Sequence, residues 1–250
     1  MQGSWPEGVG RIVLPRTDST LSEAARRFAG LPAPTWILAH EQTAARGRRG
    51  RAWANPQGNF AATYVMRLDR PAGEAALRSF VMALALRDAL GSATGRTDLL
   101  ALKWPNDVLM SEGKLAGILL ETVMLRGQIA GLAIGVGVNL FAVPDAGSLD
   151  PGAVSPVSVH AETGVSISDL EFLGLLARAY AGWEHDFTTY GFAPIREAWL
   201  RNAARQGQVI TARLPGEEVI GTFETVDENG YLVLTTAKGA RRIAAADVFF

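Results

Sequence analysis

The amino-acid sequence predicts an α+β fold in which helices alternate with strands and a small all-β unit follows. Apolar residues recur at helical spacing in several segments, and buried-strand patterns separate these segments. Beyond Gln206 the pattern changes to short alternating runs divided by turn dipeptides. A chain of 250 residues, 48% of them hydrophobic, can bury one sizeable core and a smaller second one. We therefore expect a main domain over residues 1–205 and a second domain over residues 206–250.

The amino-terminal half is predicted to alternate between helices and strands. Residues 18–29 begin with N-cap candidates and continue with apolar residues at helical spacing, which predicts a helix. Thr35–Ala39 and Asn59–Leu68 have strand patterns, and the polar, basic segment Glu41–Gly58 between them predicts a long loop. Residues 74–90 have the spacing of an amphipathic helix.

The carboxy-terminal half is predicted to contain strands, then helices, then strands again. Strand patterns dominate from about Leu100 to Leu140. Ser168 and Glu171 form a capping-box pair that predicts a helix of about five turns, and a shorter helix follows over residues 194–202. The runs that follow are separated by Pro-Gly, Asn-Gly and Lys-Gly turns, which predicts a small β-barrel of SH3-like size.

The composition excludes several classes of protein. A balance of 24 Lys and Arg against 25 Asp and Glu gives a formal net charge of −1, so no general attraction to nucleic acid or membranes is expected. The absence of cysteine excludes a disulfide scaffold and a thiolate metal site, and the three histidines lack zinc-ligand spacing. The longest mostly apolar stretch, Ile129–Val143, is too short to span a bilayer, and no signal peptide is evident. We expect a cytoplasmic protein and predict no metal site.

Residues 46–51, with the sequence Arg-Gly-Arg-Arg-Gly-Arg, form the first candidate functional segment. Arginine donates paired hydrogen bonds to carboxylates and phosphates, and the glycines allow the backbone to close around a ligand. The segment therefore predicts a flexible anion clamp, although a solvated basic loop or a nonspecific RNA-binding segment fits the same residues. Trp53 follows closely, and it could stack on an adenine or anchor the loop as a hydrophobic plug.

The second candidate segment is residues 103–107, with the sequence Lys-Trp-Pro-Asn-Asp, between two apolar strands. Proline and the Asn-Asp pair predict a rigid corner that carries polar groups. Lys114 stands at the mouth of the following apolar strand, in which Gly117 suggests close approach of a ligand. An ordinary turn and a solvated strand end are the alternatives for Asp107 and Lys114.

A glycine-rich strand, residues 131–139, is the third candidate segment. It begins like a dinucleotide-binding fingerprint but has Leu140 where the third glycine belongs, and no Walker or Gly-x-Ser-x-Gly motif occurs elsewhere. Dinucleotide binding, P-loop phosphoryl transfer and serine hydrolysis therefore lack their motifs. A glycine-rich strand that ends in Asn139 better fits a wall against which a flat ligand lies.

Taken together and in order, these segments resemble the biotin–protein ligase family across nearly the whole chain. The signatures are carried by residues 18–20, Gln42 with 46–53, 103–107, 114–119 and 135–139. The resemblance implies a mixed β-sheet with helices packed on one face, followed by an SH3-like carboxy-terminal domain. A lipoate- or octanoate-protein ligase shares this implied fold but lacks the full combination of motifs. An RNA-binding module is disfavoured because the chain after Gln206 holds more acidic than basic residues.

The family resemblance implies an enzyme that forms biotinyl-5′-AMP from biotin and ATP and then transfers biotin to a lysine of a biotin carboxyl carrier protein or domain. It implies contacts with biotin or its adenylate from Ser19, Thr20, Gln42, Arg46, Gly47, Arg48, Lys114 and Gly117. It implies contacts with ATP from Arg48, Arg51, Trp53, Lys103, Asn106 and Asn139. Catalysis is expected from Arg48, Lys114 and Asp107, the last as an orienter or proton acceptor for the attacking lysine. Mg²⁺ is implied together with ATP, without assigned ligands.

The sequence departs from the family pattern at two positions, and it also leads to an expectation about regulation. Leu21 stands where the family often has asparagine, and Ala45 stands where glycine usually begins the arginine loop. Because no DNA-binding domain precedes Asp18, we expect a short-form ligase without repressor activity and without a nucleic-acid or membrane partner. A homodimer through an antiparallel sheet edge is an open expectation.

Overall fold

The computed structural model describes residues 4–68, 72–143 and 154–250. The first part of the chain contains β1 (Gly10–Thr17), α1 (Thr20–Arg27), β2 (Thr35–Gln42), β3 (Phe60–Arg67), α2 (Ala72–Ala75), α3 (Arg78–Thr94), β4 (Leu100–Lys103), β5 (Asp107–Met110), β6 (Gly113–Leu125) and β7 (Gln128–Val138). The second part contains α4 (Val159–Thr163), α5 (Asp169–Tyr190), α6 (Phe192–Leu200), β8 (Val209–Leu214), β9 (Glu217–Val226), β10 (Leu232–Thr236), β11 (Gly239–Ile243) and β12 (Asp247–Phe249). None of these helices is long and apolar enough to cross a membrane.

The larger sheet is mixed, and its seven strands follow the order β1-β2-β3-β7-β6-β5-β4. β1 pairs with β2 in parallel, and each remaining neighbour pairs in antiparallel fashion. Strand β7 lies in the centre of the sheet, with β3 on one side and β6 on the other. The predicted α+β class with a mixed sheet is therefore confirmed.

The two faces of this sheet are covered by different helices. Trp36 and Leu38 of β2 belong to the main core, which also contains residues of α3, α5 and α6. Ile37 points to the opposite face, because side chains alternate along a strand, and packs in a second cluster with Leu21 and Phe28 of α1 and its flank. The long helices therefore share one face, and the short helix α1 covers only part of the other, which leaves room beside it for a binding site.

Two of the predicted helices show how packing and capping shape the chain. The capping box is confirmed: the backbone N–H of Glu171 donates to the Ser168 side chain, and the Glu171 carboxylate accepts from the Ser168 backbone. The segment predicted as one amphipathic helix over residues 74–90 is divided into α2 and α3. Residues 80–86 of α3 are all buried, because α3 packs against the sheet and also against α5 and α6.

The second sheet is antiparallel and follows the order β11-β10-β9-β8-β12. Four of its strands correspond to the alternating runs predicted from the sequence. The fifth, β12, has three residues and pairs with β8, a length too short for alternation to reveal. Closure of this sheet into an SH3-like barrel stays a prediction, as does the domain boundary after residue 205.

The second sheet is fixed to the first by hydrogen bonds and by a common apolar core. Trp104 Nε1 donates to the carbonyl oxygen of Gly230 at 3.0 Å, and Arg196 Nε donates to the carbonyl oxygen of Val226. Gly230 has a φ of +79°, and a Cβ there would lie 2.9 Å from the Phe80 ring of α3. One hydrophobic core contains buried residues from both sheets. The carboxy-terminal sheet is therefore held firmly beside the Lys-Trp-Pro-Asn-Asp corner.

Candidate active site

A cavity of about 680 Å³ lies on the face of the large sheet that carries α1, and the carboxy-terminal sheet closes one side of it. The motif residues predicted to form the site all line this cavity: Ser19, Thr20, Gln42, Arg46, Gly47, Arg48, Arg51, Trp53, Lys103, Asn106, Asp107, Lys114, Gly117 and Asn139. They come from positions that are far apart in the sequence, and the sheet brings them together. Asp247 and Phe249 of β12 also line the cavity, and sequence reasoning did not predict them.

The arginine-rich segment forms a β-hairpin over residues 45–53, called the arginine hairpin below. The backbone N–H of Gly47 donates to the Arg51 carbonyl oxygen at 2.7 Å, and the N–H of Trp53 donates to the Ala45 carbonyl oxygen at 3.0 Å. Arg49, at the tip, has a φ of +56°, in the left-handed region that most side chains avoid. The segment predicted to be a flexible loop is thus internally hydrogen-bonded as a hairpin.

Trp53 anchors the base of the arginine hairpin on two glycines of the sheet. Gly117 of β6 and Gly137 of β7 lie directly opposite one another in the strand pair. A Cβ on Gly137 would lie 2.5 Å from the indole, and one on Gly117 would lie 3.1 Å from it. Only glycine leaves room for the ring at these positions, so the flat group that lies against the glycine-rich strand is Trp53. This placement favours the interpretation of Trp53 as a hydrophobic anchor.

Arg46 is bound to protein groups on two neighbouring elements. Its Nε and Nη2 donate to the two carboxylate oxygens of Glu121 in β6, at 3.0 and 2.9 Å, and Nη1 donates to Ser22 Oγ in α1 at 2.8 Å. The hydrogen bonds to Glu121 raise the pKa of the Arg46 guanidinium. Sequence reasoning did not single out Glu121 or Ser22. The available signal for Glu121 was its position as the first charged residue after Lys114 along β6.

The tip of the arginine hairpin is bound to the carboxy-terminal sheet through Asp247. Arg49 Nη1 and Arg51 Nη2 donate to Asp247 Oδ2 at 3.0 and 2.7 Å. Arg48 Nη1 lies 3.7 Å from Asp247 Oδ1 and donates to Asn106 Oδ1 at 3.3 Å. Burial lowers the pKa of Arg48, although Asp247 acts in the opposite direction. The Asp247 carboxylate thus lies within 4 Å of the guanidinium groups of Arg48, Arg49 and Arg51.

Lys103, Asp107 and Lys114 form the cationic centre of the cavity. Lys114 Nζ lies 2.8 Å from Asp107 Oδ1, and Lys103 Nζ lies 3.9 Å from Asp107 Oδ2. Asp107 is buried at the first position of β5, and burial also lowers the pKa of Lys103. Lys114 Nζ is 5.7 Å from the centre of the Trp53 ring. Two ammonium groups thus share one carboxylate, and Lys114 is placed inside the cavity wall instead of at a solvated strand end.

Two asparagines of the predicted nucleotide site are held by the protein itself. Asn106 Nδ2 donates to the Ile118 carbonyl oxygen at 2.6 Å. Asn139 is buried, donates through Nδ2 to the Val157 carbonyl oxygen at 3.1 Å, and accepts from Asn59 Nδ2 at 3.4 Å. Asn59, which sequence reasoning did not predict, thus supports Asn139 from the start of β3. These hydrogen bonds hold the Lys-Trp-Pro-Asn-Asp corner and the end of β7 in place, a task that is separate from contact with a ligand.

The uncharged end of the cavity is built where α1 begins. Gln42 Oε1 accepts from the backbone N–H and the hydroxyl of Thr20, at 2.7 and 3.1 Å, and Thr63 Oγ1 donates to Thr20 Oγ1 at 2.9 Å. Ser19 is the N-cap residue of α1 and is buried, as is Thr20. This part of the cavity offers hydroxyl and amide groups without a net charge, in contrast to the cationic centre.

Comparison with known proteins places the chain in a family. Residues 13–139 match the biotin/lipoate A/B protein ligase family, and residues 207–250 match the biotin protein ligase C terminal domain. Over 238 residues the chain is 53% identical to a biotin–[acetyl-CoA-carboxylase] ligase from Paracoccus denitrificans, which covers 95% of this chain and 99% of that protein. The chain belongs to the biotin protein ligase family.

Further relatives and solved structures agree with membership of the biotin protein ligase family. The chain is 29% identical over 240 residues to the bifunctional ligase/repressor BirA of Bacillus subtilis, covering 94% of this chain and 71% of that protein. It resembles in fold the biotin protein ligase from Aquifex aeolicus in complex with biotin and ATP, with a TM-score of 0.81, 22% identity and coverage of 96% and 97% of the two chains. The mixed sheet with helices that the motifs imply is thus observed, except that α1 packs on the face opposite the long helices, and the SH3-like closure stays a prediction.

The two departures from the family pattern are accommodated locally. Leu21 packs over Gly135, where a Cβ would lie 2.9 Å from the leucine side chain, so Leu21 contributes to the wall of the biotin ligase cavity. Ala45 holds the base of the arginine hairpin through its carbonyl oxygen, a contact that needs no glycine.

Phe250, which follows the cavity-lining residue Phe249, lies against two cationic side chains. The Phe250 ring centre lies 5.5 Å from Lys103 Nζ and 5.0 Å from the Arg205 guanidinium carbon. Such distances are typical of cation–π contacts, and the ring covers the outer side of Lys103. Over the ranges that the structure describes, no group of three or more histidine and acidic side chains could hold a metal ion.

Proposed function

We propose that this protein is a biotin–protein ligase, which forms biotinyl-5′-AMP from biotin and ATP and transfers biotin to a lysine of a biotin carboxyl carrier protein or domain. The observation that carries the proposal is the division of one cavity into an uncharged polar part and a cationic part. Thr20 and Gln42 suit a neutral ureido ring, whereas Arg48, Lys103 and Lys114 suit a carboxylate and phosphates. Biotin has this polarity, and the named ligase relatives support the assignment.

The first chemical step brings two anions together, because the biotin carboxylate attacks the α-phosphate of ATP and pyrophosphate leaves. Arg48, Lys103 and Lys114 place positive charge in the cavity. This charge offsets the electrostatic repulsion between the two anions before they react. Removing one such donor would raise the activation free energy by on the order of 3 kcal/mol, which would lower the rate about a hundredfold. Magnesium enters as part of the nucleotide substrate. The cavity carboxylates that the structure describes, Asp107 and Asp247, are both paired with cationic side chains.

The second step transfers the acyl group from the adenylate to the acceptor lysine. A neutral amine attacks the acyl carbon, the bond to the phosphate oxygen breaks, and AMP leaves. Asp107 is buried beside Lys114 at the centre of the cavity, where it would orient the amine and accept its proton. We further propose action in the cytoplasm without a nucleic-acid partner, which the net charge of −1 supports. The expected homodimer stays a prediction.

The proposal is tested by ATP–pyrophosphate exchange with purified protein. Exchange that depends on biotin and is not supported by lipoate or octanoate is the expected result. Transfer of radiolabelled biotin to a purified carrier domain, but not to the same domain with its acceptor lysine replaced by arginine, tests the second step. Exchange supported by lipoate in place of biotin would contradict the proposal and would favour the alternative ligase class.

A further inference from the structure

We propose that Arg46 is a positioning residue whose ion pair with Glu121 fastens the base of the arginine hairpin beside the ring end of the cavity. This inference deepens the proposed function and rests on it. It assigns Arg46 a different task from Arg48 and the two lysines, which supply the positive charge for the anionic end of the substrate. It also gives Glu121, a residue outside the recognised motifs, a defined part in retaining the ligand.

The hydrogen bonds of Arg46 support this role. All three guanidinium nitrogens of Arg46 donate to protein oxygen atoms, two to the carboxylate of Glu121 and one to Ser22 Oγ. The two bonds to Glu121 have the side-by-side geometry of a guanidinium–carboxylate pair, 3.0 and 2.9 Å long. A phosphate could bind the same edge of Arg46 only by displacing Glu121, which would then remain as a like charge beside the phosphate.

The location of the three residues explains what the contact holds. Ser22 lies in α1, two and three residues after Thr20 and Ser19, which line the uncharged part of the cavity. Glu121 lies in β6, four residues beyond Gly117, whose backbone supports Trp53. Arg46 therefore joins the hairpin to the helix and to the strand that form this part of the site. Movement of the hairpin base away from the sheet would break all three hydrogen bonds.

Glu121 can be tested separately from ligand contact, because it does not line the cavity, whereas Arg46 does. Any effect of Glu121 on the ligand must therefore pass through Arg46 and the hairpin. The Arg46 and Glu121 side chains are 36% and 37% exposed, so their ion pair contributes modestly to holding the hairpin in place. Its removal should therefore weaken biotin binding by a moderate factor and should not abolish it.

The experiment measures biotin-dependent exchange for the wild type and for Glu121→Gln, Glu121→Ala, Arg46→Ala and the Arg46→Ala/Glu121→Ala double variant. We expect each single variant to raise the KM for biotin about two- to fivefold, with kcat and the KM for ATP changed by less than about 1.5-fold, as suits loss of one partly exposed ion pair. The double variant should be no worse than Arg46→Ala alone, since Arg46→Ala already removes the contact with Glu121. The exchanged pair Arg46→Glu/Glu121→Arg should recover part of the biotin affinity.

The matched control is Glu197→Ala, which removes the exposed ion pair with Arg201 in and just after α6, outside the cavity lining. It should leave both KM values unchanged. Circular dichroism and thermal unfolding establish that each variant is folded, and Glu121→Gln preserves the side-chain shape if Glu121→Ala does not fold. If Arg46→Ala raises the KM for ATP or lowers kcat more than about tenfold while the Glu121 variants behave as wild type, Arg46 binds the anion directly and the inference is wrong. Absence of biotin-dependent exchange in the wild type would instead overturn the proposed function itself.

Discussion

Arg48 has the least exposed side chain of the four arginines of the hairpin. Its side chain donates to Asn106 of the Lys-Trp-Pro-Asn-Asp corner and to the carbonyl oxygen of Ala246, so it connects the hairpin with both sheets. Burial lowers the pKa of Arg48, because its charged guanidinium has lost part of its hydration in the site. A buried cation gains most from an anionic ligand, because the ligand replaces the lost hydration.

Replacing Arg48 with Gly should let the adenylate escape. Loss of one charge-assisted hydrogen bond is worth about 1.5–3 kcal/mol, which weakens adenylate binding about ten- to a hundredfold, while Lys103 and Lys114 still permit its synthesis. The released anhydride would acylate lysines of any nearby protein. Incubation with ATP, biotin and albumin, followed by a biotin blot, should show labelled albumin with Arg48→Gly and not with the wild type. A variant that makes adenylate yet labels only the true acceptor would remove Arg48 from this role.

Gly137→Ala should displace Trp53 from the sheet. The added methyl would lie 2.5 Å from the indole, and β7 cannot retreat because β3 and β6 hold it on both sides. Packing conflicts of this kind destabilise the native arrangement by about 1–3 kcal/mol, so the KM for biotin should rise about tenfold. Because the displaced indole would be more exposed to water, tryptophan fluorescence should shift to longer wavelength. Gly182→Ala is the control, because Gly182 is exposed on α5 and, beyond the neighbouring backbone of that helix, no atom would lie within 4 Å of the added methyl. Unchanged fluorescence in Gly137→Ala would show that the indole does not depend on this glycine.

At the residue scale, the sequence predicts the positions that carry motifs and misses those that act through pairing. Lys114 and Asp107 were singled out as a lysine at a strand mouth and an aspartate at a corner, and they lie 2.8 Å apart. Glu121 and Asp247 look like ordinary polar residues in the sequence, because their partners Arg46 and Arg51 are 75 and 196 residues away. Long-range ion pairs have no local sequence pattern, so only the structure identifies them.

The arginine hairpin is the element whose structure the sequence describes least well. Arginine and glycine have weak strand propensity, so the composition of residues 46–51 predicts a loop. The hairpin is stabilised instead by two cross-strand backbone hydrogen bonds, by Trp53 on the glycines of β6 and β7, and by carboxylates at its base and tip. The helices, by contrast, followed from local signals, as the capping box of α5 illustrates. Elements held by tertiary contacts escape local prediction, whereas elements with local signals do not.

Replacing Asp247 with Asn should loosen the tip of the arginine hairpin. The change removes the charge that pairs with Arg49 and Arg51, and exposed or partly exposed pairs are worth about 0.2–1 kcal/mol each. Local opening should become several-fold more frequent, so trypsin should cleave the hairpin about three- to tenfold faster. Asp98→Asn, which removes an exposed pair with Arg96, is the control and should leave this cleavage unchanged. Equal cleavage rates in the wild type and Asp247→Asn would mean that other contacts hold the tip.

At the scale of the whole molecule, the two sheets share one hydrophobic core. The change of sequence pattern near residue 206 marks the start of a second sheet, yet Trp104 and Phe80 of the first part are buried together with Leu232 of the second. A chain ending near Arg205 would expose these side chains to water, so we expect it to be unstable. The sequence pattern reports a change of secondary structure, and it contains no information on how much apolar surface the two parts bury against each other.

Replacing Trp104 with Phe should weaken the attachment of the carboxy-terminal sheet. The variant leaves the Gly230 carbonyl oxygen buried without its donor, which costs about 1–3 kcal/mol of unfolding free energy, and the smaller ring leaves a void. Urea unfolding followed by circular dichroism measures this loss. Trp183→Phe is the matched control, because its Nε1 donates to Asp88 in a contact between α5 and α3 that does not involve the carboxy-terminal sheet. Limited proteolysis near residues 201–208 should increase for Trp104→Phe alone, and equal proteolysis of both variants would contradict the assigned role.

The position of Phe250 determines where a fusion partner can be attached. Its ring lies against Lys103 of the cavity lining, so residues added after it would leave the protein beside the cavity, where the proposed carrier domain would present its lysine. β1, in contrast, is an edge strand separated by β2 and β3 from β7 of the cavity wall, so residues added before it would leave from a different part of the sheet. Affinity tags, fluorescent proteins and surface anchors therefore belong at the amino-terminal end, while a carboxy-terminal fusion would obstruct macromolecular substrates and leave small ones free to enter.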